Sequence, residues 1–348
     1  MDIASIGNSK KLLIKSQLRP RPLISVIVVN WNGQAFLQEC LEALVGQTYD
    51  KFEIIFVDNG STDASVDFVS QNFPQIAILA LSENYGFAGG NIKGLEVSNG
   101  EYIALLNNDT CVDQKWLDNL GQPMRVDSSV GICASKLLMD STGKINSAGD
   151  GITTAGVGCN RGLGNDRMLY ERQEAVFGAC GGAVLYRRAM LEEIGFLDND
   201  FFLYDEDTDL NFRAQLAGWK CIYVPNACVY HKVNGTTGRL SDLHVYYHTR
   251  NLEFVWIKDM PTGLMLRFVH HKLIQELGSF CYLCLRHGKW KAFFQGKKDA
   301  IRMLPVMLRK RREIQKKKRV TNQYIQSFLL PYFNKRFIRQ KIAQFIDG

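Results

Sequence analysis

Four apolar runs in the first 110 residues each stop at a cluster of polar residues, at 23–29, 52–57, 76–81 and 102–106. The first is almost unbroken Ile and Val, the pattern of a strand buried on both faces. Helical spacing follows the first three runs, over 34–44, 64–73 and 89–98. Alternating strand and helix predicts an α/β fold with a mostly parallel, doubly wound central sheet and flanking helices. Such sheets gather ligands at the carboxyl ends of their strands. The polar clusters at 30–33, 58–63 and 107–110 all fall there, which is the first pointer to a site.

Further along, 139–172 is rich in Gly, Asn, Ser and Thr and reads as an irregular or β-rich excursion. Small residues over 175–185 lead into a helix at 187–194, and another helix is expected over 207–217, closed by Gly218. Residues 220–224 and 227–230 read as short strands, and the pattern is helical after about 240. The expected organisation is an arm at 1–22, an α/β domain at 23–240 and a basic, mainly helical region at 241–348.

The best apolar stretch, 264–285, is interrupted by Arg267, His270, His271, Lys272 and Glu276, so a spanning helix is not expected. The first 21 residues lack the pattern of a secretory signal. Nine scattered cysteines suit a reduced, cytoplasmic compartment. Cys281 and Cys284 form one C-x-x-C with no partner pair, which reads as a helix face and not as a metal or redox site.

Several clusters could carry chemistry, each with a bland alternative. Asp58 ends a buried strand before Asn-Gly-Ser-Thr-Asp, where a carboxylate can accept a hydrogen bond from a base or ribose; ordinary turn chemistry is the alternative. The loop 84–91, Asn-Tyr-Gly-Phe-Ala-Gly-Gly-Asn, brings glycines to a helix start, where backbone amides favour phosphate oxygens. Its spacing is not that of the dinucleotide fingerprint. Asn107-Asn108-Asp109 follows a strand, and Asp109 offers a hard cation a carboxylate oxygen or simply caps a turn. Asp205-Glu206-Asp207-Thr208-Asp209 packs four acids into five positions. Part of that cluster complements a helix dipole and pairs Asp209 with Arg213. Like charges this close also raise pKa values, which is how a general base is tuned. His231 ends a strand just before the loop 234–238, where a structural role is the alternative.

In order and type these segments resemble family 2 glycosyltransferases of the GT-A fold. The resemblance rests on Ser25-Val-Ile-Val-Val-Asn-Trp-Asn-Gly33, Val57-Asp-Asn-Gly-Ser-Thr-Asp63, the loop 84–91, Leu106-Asn-Asn-Asp109 and Glu206-Asp-Thr-Asp-Leu210, with Gly218-Trp219, Pro225 and His231 behind them. It covers about residues 23–238 and is most similar to bacterial rhamnosyltransferases that build surface polysaccharide. It implies a donor site made by Asn30, Asp58, Asn84, Gly90, Asn91 and Asn107, with Asp58 at the nucleobase and Asn107 at the ribose. It implies Mg²⁺ or Mn²⁺ on Asp109, completed by His231, and Asp207 as the base, with Glu206 the near alternative. The reaction would be one in-line displacement with inversion, the cation stabilising the departing diphosphate. The usual D-x-D here reads Asn-Asn-Asp, which weakens the ribose contact. By resemblance the donor is a dTDP- or UDP-sugar, rhamnose from dTDP-rhamnose being the choice.

The net charge of +7 is local: residues 286–319 hold fourteen Lys or Arg against two acids, leaving 28 basic and 33 acidic residues elsewhere. Basic amphipathic helices suit the anionic face of a membrane. That fits a glycan or lipid-linked acceptor and a peripheral position at the inner face of the cell membrane. A solvated charged surface is the alternative, and no base-stacking or zinc motif points to nucleic acid. A helical C-terminus also suits pairing of two copies. Rival readings are a sugar nucleotidyltransferase, whose G-x-G-x-R is absent at 30–33, and a sugar-nucleotide binder or scaffold without catalysis.

Overall fold

The computed structural model describes residues 11–13, 23–232 and 240–332. The Ile/Val run forms β2 (Ile24–Asn30), buried at nearly every position as a two-sided strand requires. Parallel to it lie β3 (Phe52–Asp58), β4 (Ala77–Ala80) and β5 (Tyr102–Asn107). Alternate β2 side chains enter opposite cores. Val26 and Val28 join Leu37, Leu41 and Trp116 on one face, while Ile27 joins Val57, Leu79 and Ile103 on the other. Helices α1 (Gln34–Val45), α2 (Ser65–Asn72) and α3 (Gly86–Val97) connect these strands. The register pairs Asn30 with Asp58 and Val29 with Asn107, so the three expected polar ends share one edge.

Most of the expected arm lies outside the described residues. Its segment Lys11–Leu13 is β1, antiparallel to β4. An unpaired strand edge pairs with an extended segment within reach, and here that segment is Lys11–Leu13.

Beyond β5 come β6 (Thr110–Val112), α4 (Trp116–Val126), β7 (Val130–Met139), β8 (Ile145–Ala148), β9 (Asp150–Thr153), β10 (Gly158–Asn160), β11 (Glu174–Val176), β12 (Ala183–Arg187) and α5 (Arg188–Ile194). Then follow α6 (Glu206–Ala217) and β13 (Lys220–His231). The main sheet runs β1-β4-β3-β2-β5-β12-β7-β13-β11, with β6 on β13 and β8 on β7. Strand β12 is antiparallel to both β5 and β7, which joins a parallel half to a mixed half. The two short strands expected near 220–230 are one strand, β13, with a bulge between Val224 and Cys228. Pro225, which has no N–H to give a ladder, sits in that bulge. Gly218 closes α6 at φ +85° as the sequence predicts.

The C-terminal region is helical: α7 (Asp242–Lys258), α8 (Thr262–Phe280), a π-helical turn at Cys281–Arg286, α9 (Trp290–Lys316) and α10 (Asn322–Phe328). A closing strand, β14 (Leu329–Leu330), joins β9 and β10 in a small second sheet. These helices do not stand apart. Phe254, Val255, Met260 and Met307 share a core with Phe177, Phe201, Phe212 and Leu216. Among the described residues no helix is long and apolar enough to cross a membrane. All nine cysteines are free; Cys284 is buried and Cys281 exposed, so the C-x-x-C presents two faces and not one.

Candidate active site

The carboxyl ends of β2, β3 and β5 are laced together by short polar side chains. Asn108 Nδ2 donates to Asn30 Oδ1 at 2.7 Å, and Asn30 Nδ2 reaches Ser61 Oγ at 3.3 Å and Asp58 Oδ1 at 3.5 Å. The Ser61 N–H donates to Asp58 Oδ2 at 3.1 Å. Asn32, at φ +50°, accepts from the Thr62 N–H at 2.8 Å, so the turn after β2 closes on the turn after β3. Gly33 is required by close approach, since a Cβ there would meet Asn108 Nδ2 at 2.3 Å. Asn30, Asp58 and Asn107 are thus brought together. Asn108, singled out only as part of its motif, is the strut between β2 and β5.

Asp109 and His231 meet across the β6–β13 pairing, where His231 stands opposite Thr110. His231 Nε2 lies 3.3 Å from Asp109 Oδ1, yet that buried oxygen has no hydrogen bond. On the far side of the ring, His231 Nδ1 lies 3.0 Å from Asn146 Oδ1. In the neutral tautomer whose Nδ1–H donates to Asn146 Oδ1, the Nε2 lone pair faces the carboxylate. A buried acceptor without a donor, beside an imidazole lone pair fixed by an outer hydrogen bond, is a donor set that fits a divalent cation.

The four acids of 205–209 separate into four environments. Phe202, Tyr204 and Asp205 all have positive φ, an uncommon backbone for residues with side chains. Helix α7 holds it. Asn251 Nδ2 donates to the carbonyls of Phe201, Leu203 and Tyr204 at 3.0, 2.9 and 2.7 Å, and Arg250 to those of Asp200 and Phe201. Asp205 pairs with His248 at 2.9 Å. Asp209, fully buried, pairs with Arg213 as expected and also with Lys258. Burial pushes the Asp209 carboxyl up, but those two cations hold it below its usual range. Glu206 is buried with Oε2 unbonded; burial and then Asp207 raise it well above an ordinary carboxyl. Asp207 is more accessible. Burial raises it too, partly opposed by the Gly181 N–H, which donates to its Oδ2 at 2.9 Å.

Gly181 and Gly182 join this acidic segment to the strand ends. Gly182 accepts from the Asn107 N–H at 2.9 Å, one residue from the amide that bonds Asp207. A Cβ on Gly182 would press to 3.2 Å of Asn107 Nδ2.

Sequence reasoning missed Asp150. Its carboxylate, Cys180 Sγ and a carboxylate oxygen of Asp207 lie within 4.8 Å of one another. Ser147 Oγ donates to Asp150 Oδ1 at 2.6 Å. Burial pushes the Asp150 carboxyl up to about 7, and Asp207 adds to the push. Burial also raises the Cys180 thiol well above its normal value, so it is a poor thiolate ligand. Either a shared proton or a cation relieves two carboxylates this close. The available signal was an acid between two glycines, Gly149-Asp150-Gly151, with Gly149 at φ +82°.

The Gly-rich segment 84–91 does not form the open amide cradle expected. Helix α3 begins at Gly86, three residues early, so Gly90 and Asn91 lie inside it. A Cβ on Gly90 would meet Val29 Cγ1 at 2.8 Å, and Asn91 Nδ2 donates to the Phe87 carbonyl. Gly90 lets α3 lie close on β2. Asn84 caps the turn, accepting from the Gly86 N–H at 2.8 Å and from Asn59 at 3.0 Å.

Residues 25–195 match the family model "Glycosyl transferase family 2". The putative glycosyltransferase EpsH of Bacillus subtilis (strain 168) is 25% identical over 217 residues, 61% of each chain, so the match spans about three fifths of that relative. The N-acetylglucosaminyl-diphospho-decaprenol L-rhamnosyltransferase of Mycobacterium tuberculosis (strain ATCC 25618 / H37Rv) is 24% identical over 271 residues, 69% of this chain and 86% of that one. Among solved structures, GalNAc-T7 with UDP, GalNAc and Mn²⁺ superposes with a TM-score of 0.59 at 14% identity, covering 81% of this chain and 57% of that one. This likeness places the sheet in the GT-A fold. Over residues 25–195, just under half of its length, the chain is similar to family 2 glycosyltransferases, and the first four ordered motifs fall inside that span.

Proposed function

We propose that the protein is an inverting glycosyltransferase that moves a sugar from a nucleotide diphosphate to an acceptor hydroxyl. The observation that supports this reading is the Gly181–Gly182 junction, whose backbone bonds Asp207 through Gly181 and the end of β5 at Asn107 through Gly182. Asp58 and Asn30 receive the base, and Asn107 the ribose. The acceptor's O–H proton passes to the Asp207 carboxylate as its oxygen bonds the anomeric carbon from the opposite face; the bond to the diphosphate breaks and its electron pair leaves with phosphate. Asp109 and His231 would hold a Mg²⁺ or Mn²⁺ ion, which when bound neutralises charge on the diphosphate. Glu206, more deeply buried, supports the segment.

Rhamnose from dTDP-rhamnose and a lipid-linked acceptor are supported by the mycobacterial relative, whose name contains both a rhamnosyl group and a diphospho-decaprenol acceptor. The test is calorimetric titration with dTDP, UDP and GDP, each with and without Mn²⁺, followed by transfer assays with the sugar of the base that binds. Tight binding of one nucleotide that depends on metal is the expected result. No binding of any nucleotide would overturn the reading.

A further inference from the structure

Helix α8 carries an apolar ridge that nothing in the described structure covers. Leu266, Leu273 and Leu277 are 75%, 64% and 63% exposed, and Val269 and Ile274 are exposed beside them. At about 100° per residue, positions 266, 269, 273 and 277 fall within about 80° of one another. They therefore form one stripe and not scattered surface leucines. Buried Leu264, Lys272 and Gln275 mark the opposite side.

Helix α9 repeats the arrangement and adds charge. Trp290, Phe294, Ile301 and Leu308 are exposed and fall within about 40° of one another. Next to that stripe, Lys291, Lys298, Arg302, Arg309 and Lys316 fall within about 40° of each other, all exposed and opposite the buried Phe293, Ala300 and Met307. Among the described residues Lys291, Lys298 and Arg309 carry no ion pair. The ridge and the stripe adjoin. Lys297 of α9 pairs with Glu276 at the border of α8, and Phe280 touches Phe293 and Phe294. That ion pair, together with Lys272 on Glu276 at 2.7 Å, neutralises the acid nearest the ridge.

We propose that the α8 ridge and the exposed face of α9 form one docking surface for an anionic bilayer. Leucines enter the acyl boundary, Trp290 and Phe294 sit at the headgroup level, and the basic row meets lipid phosphates. The charge of this face selects that occupant: an apolar protein partner would desolvate Lys291, Lys298 and Arg309 with no anion to meet them, whereas anionic headgroups pair with them. The proposal rests on the transferase reading only for the reason such contact is useful, which is access to a lipid-carried acceptor.

The experiment floats the full chain with vesicles of phosphatidylcholine alone and with added phosphatidylglycerol. Wild type is expected to float with the anionic vesicles and to lose that binding in high salt. Leu273→Glu/Leu277→Glu should lower bound protein at least about tenfold, and Lys298→Glu/Arg309→Glu should abolish the preference for anionic lipid. Both variants change exposed residues, so circular dichroism and nucleotide titration should match wild type. That result separates loss of docking from loss of the donor site. Flotation unaffected by the leucine variant would overturn the proposal. So would a wild-type chain that ignores vesicles, or one that sediments as a dimer which Leu273→Glu/Leu277→Glu splits, since a second copy would then cover the ridge.

Discussion

His231 Nε2 faces Asp109 Oδ1 at 3.3 Å with no hydrogen bond between them, while Asn146 fixes the other ring nitrogen. In the tautomer protonated at Nδ1 these are two acceptors side by side, which a cation would reconcile. Titration of nucleotide in Mn²⁺ should lose roughly 10–100-fold in affinity in His231→Ala, and about tenfold in Asn146→Leu, which frees the ring to turn. Without metal, wild type and both variants should bind alike. Equal affinities in Mn²⁺ would remove His231 from the cation site.

Asp207 is the acid joined to the strand ends through Gly181. Asp207→Asn keeps the shape and removes the base, so kcat should fall at least about 100-fold with nucleotide affinity unchanged. Transfer at the wild-type rate would refute the assignment and turn attention to Glu206.

Asp150 supplies a dependence on pH with a definite sign. Its carboxyl is raised from 3.8 to about 7, so in that window the folded protein holds a proton that the unfolded chain has released. Stability therefore falls as pH rises through the window and is level above it. Asp150→Asn removes this cost. It should stabilise the protein little near pH 4 and by about 1–3 kcal/mol at pH 8, read by urea melts at both. Should Mn²⁺ erase the difference in stability, the pair holds a cation and not a shared proton.

Asn251 serves three carbonyls of a backbone that would otherwise relax. Asn251→Ala should cost about 2–4 kcal/mol in chemical denaturation. Hydrogen exchange should rise across 201–207 ahead of the rest of the sheet. A loss of stability with no local change in exchange would show that Asn251 acts only as core.

The first four parallel strands are legible because a two-sided strand admits few sequences and ends where polar residues begin. Asn30, Asp58 and Asn107 could be placed on one edge without coordinates for that reason. The start of α3 was not legible: the glycines of 86–90 look like a loop, and only their closeness to Val29 and Phe202 shows a tightly packed helix. Asp150 escaped because Cys180 and Asp207, which it meets, come from two segments distant in the chain. The clamp by Arg250 and Asn251 escaped likewise, since its acceptors are carbonyls, which every residue has. The basic face was readable as charge, but the α8 ridge became distinct only once exposure separated Leu273 from its half-buried neighbour Phe268.

Because Asn251 and Arg250 hold the turn before α6, chain identity and working unit do not share a border. A chimera spliced at 240, where sequence pattern changes from mixed to helical, would carry Asn30, Asp58 and Asn107 and yet lack the grip on Tyr204 that holds the backbone before Asp207. Exchange of the C-terminal region should therefore cut after Lys258, whose ammonium already belongs to Asp209 and Asp198.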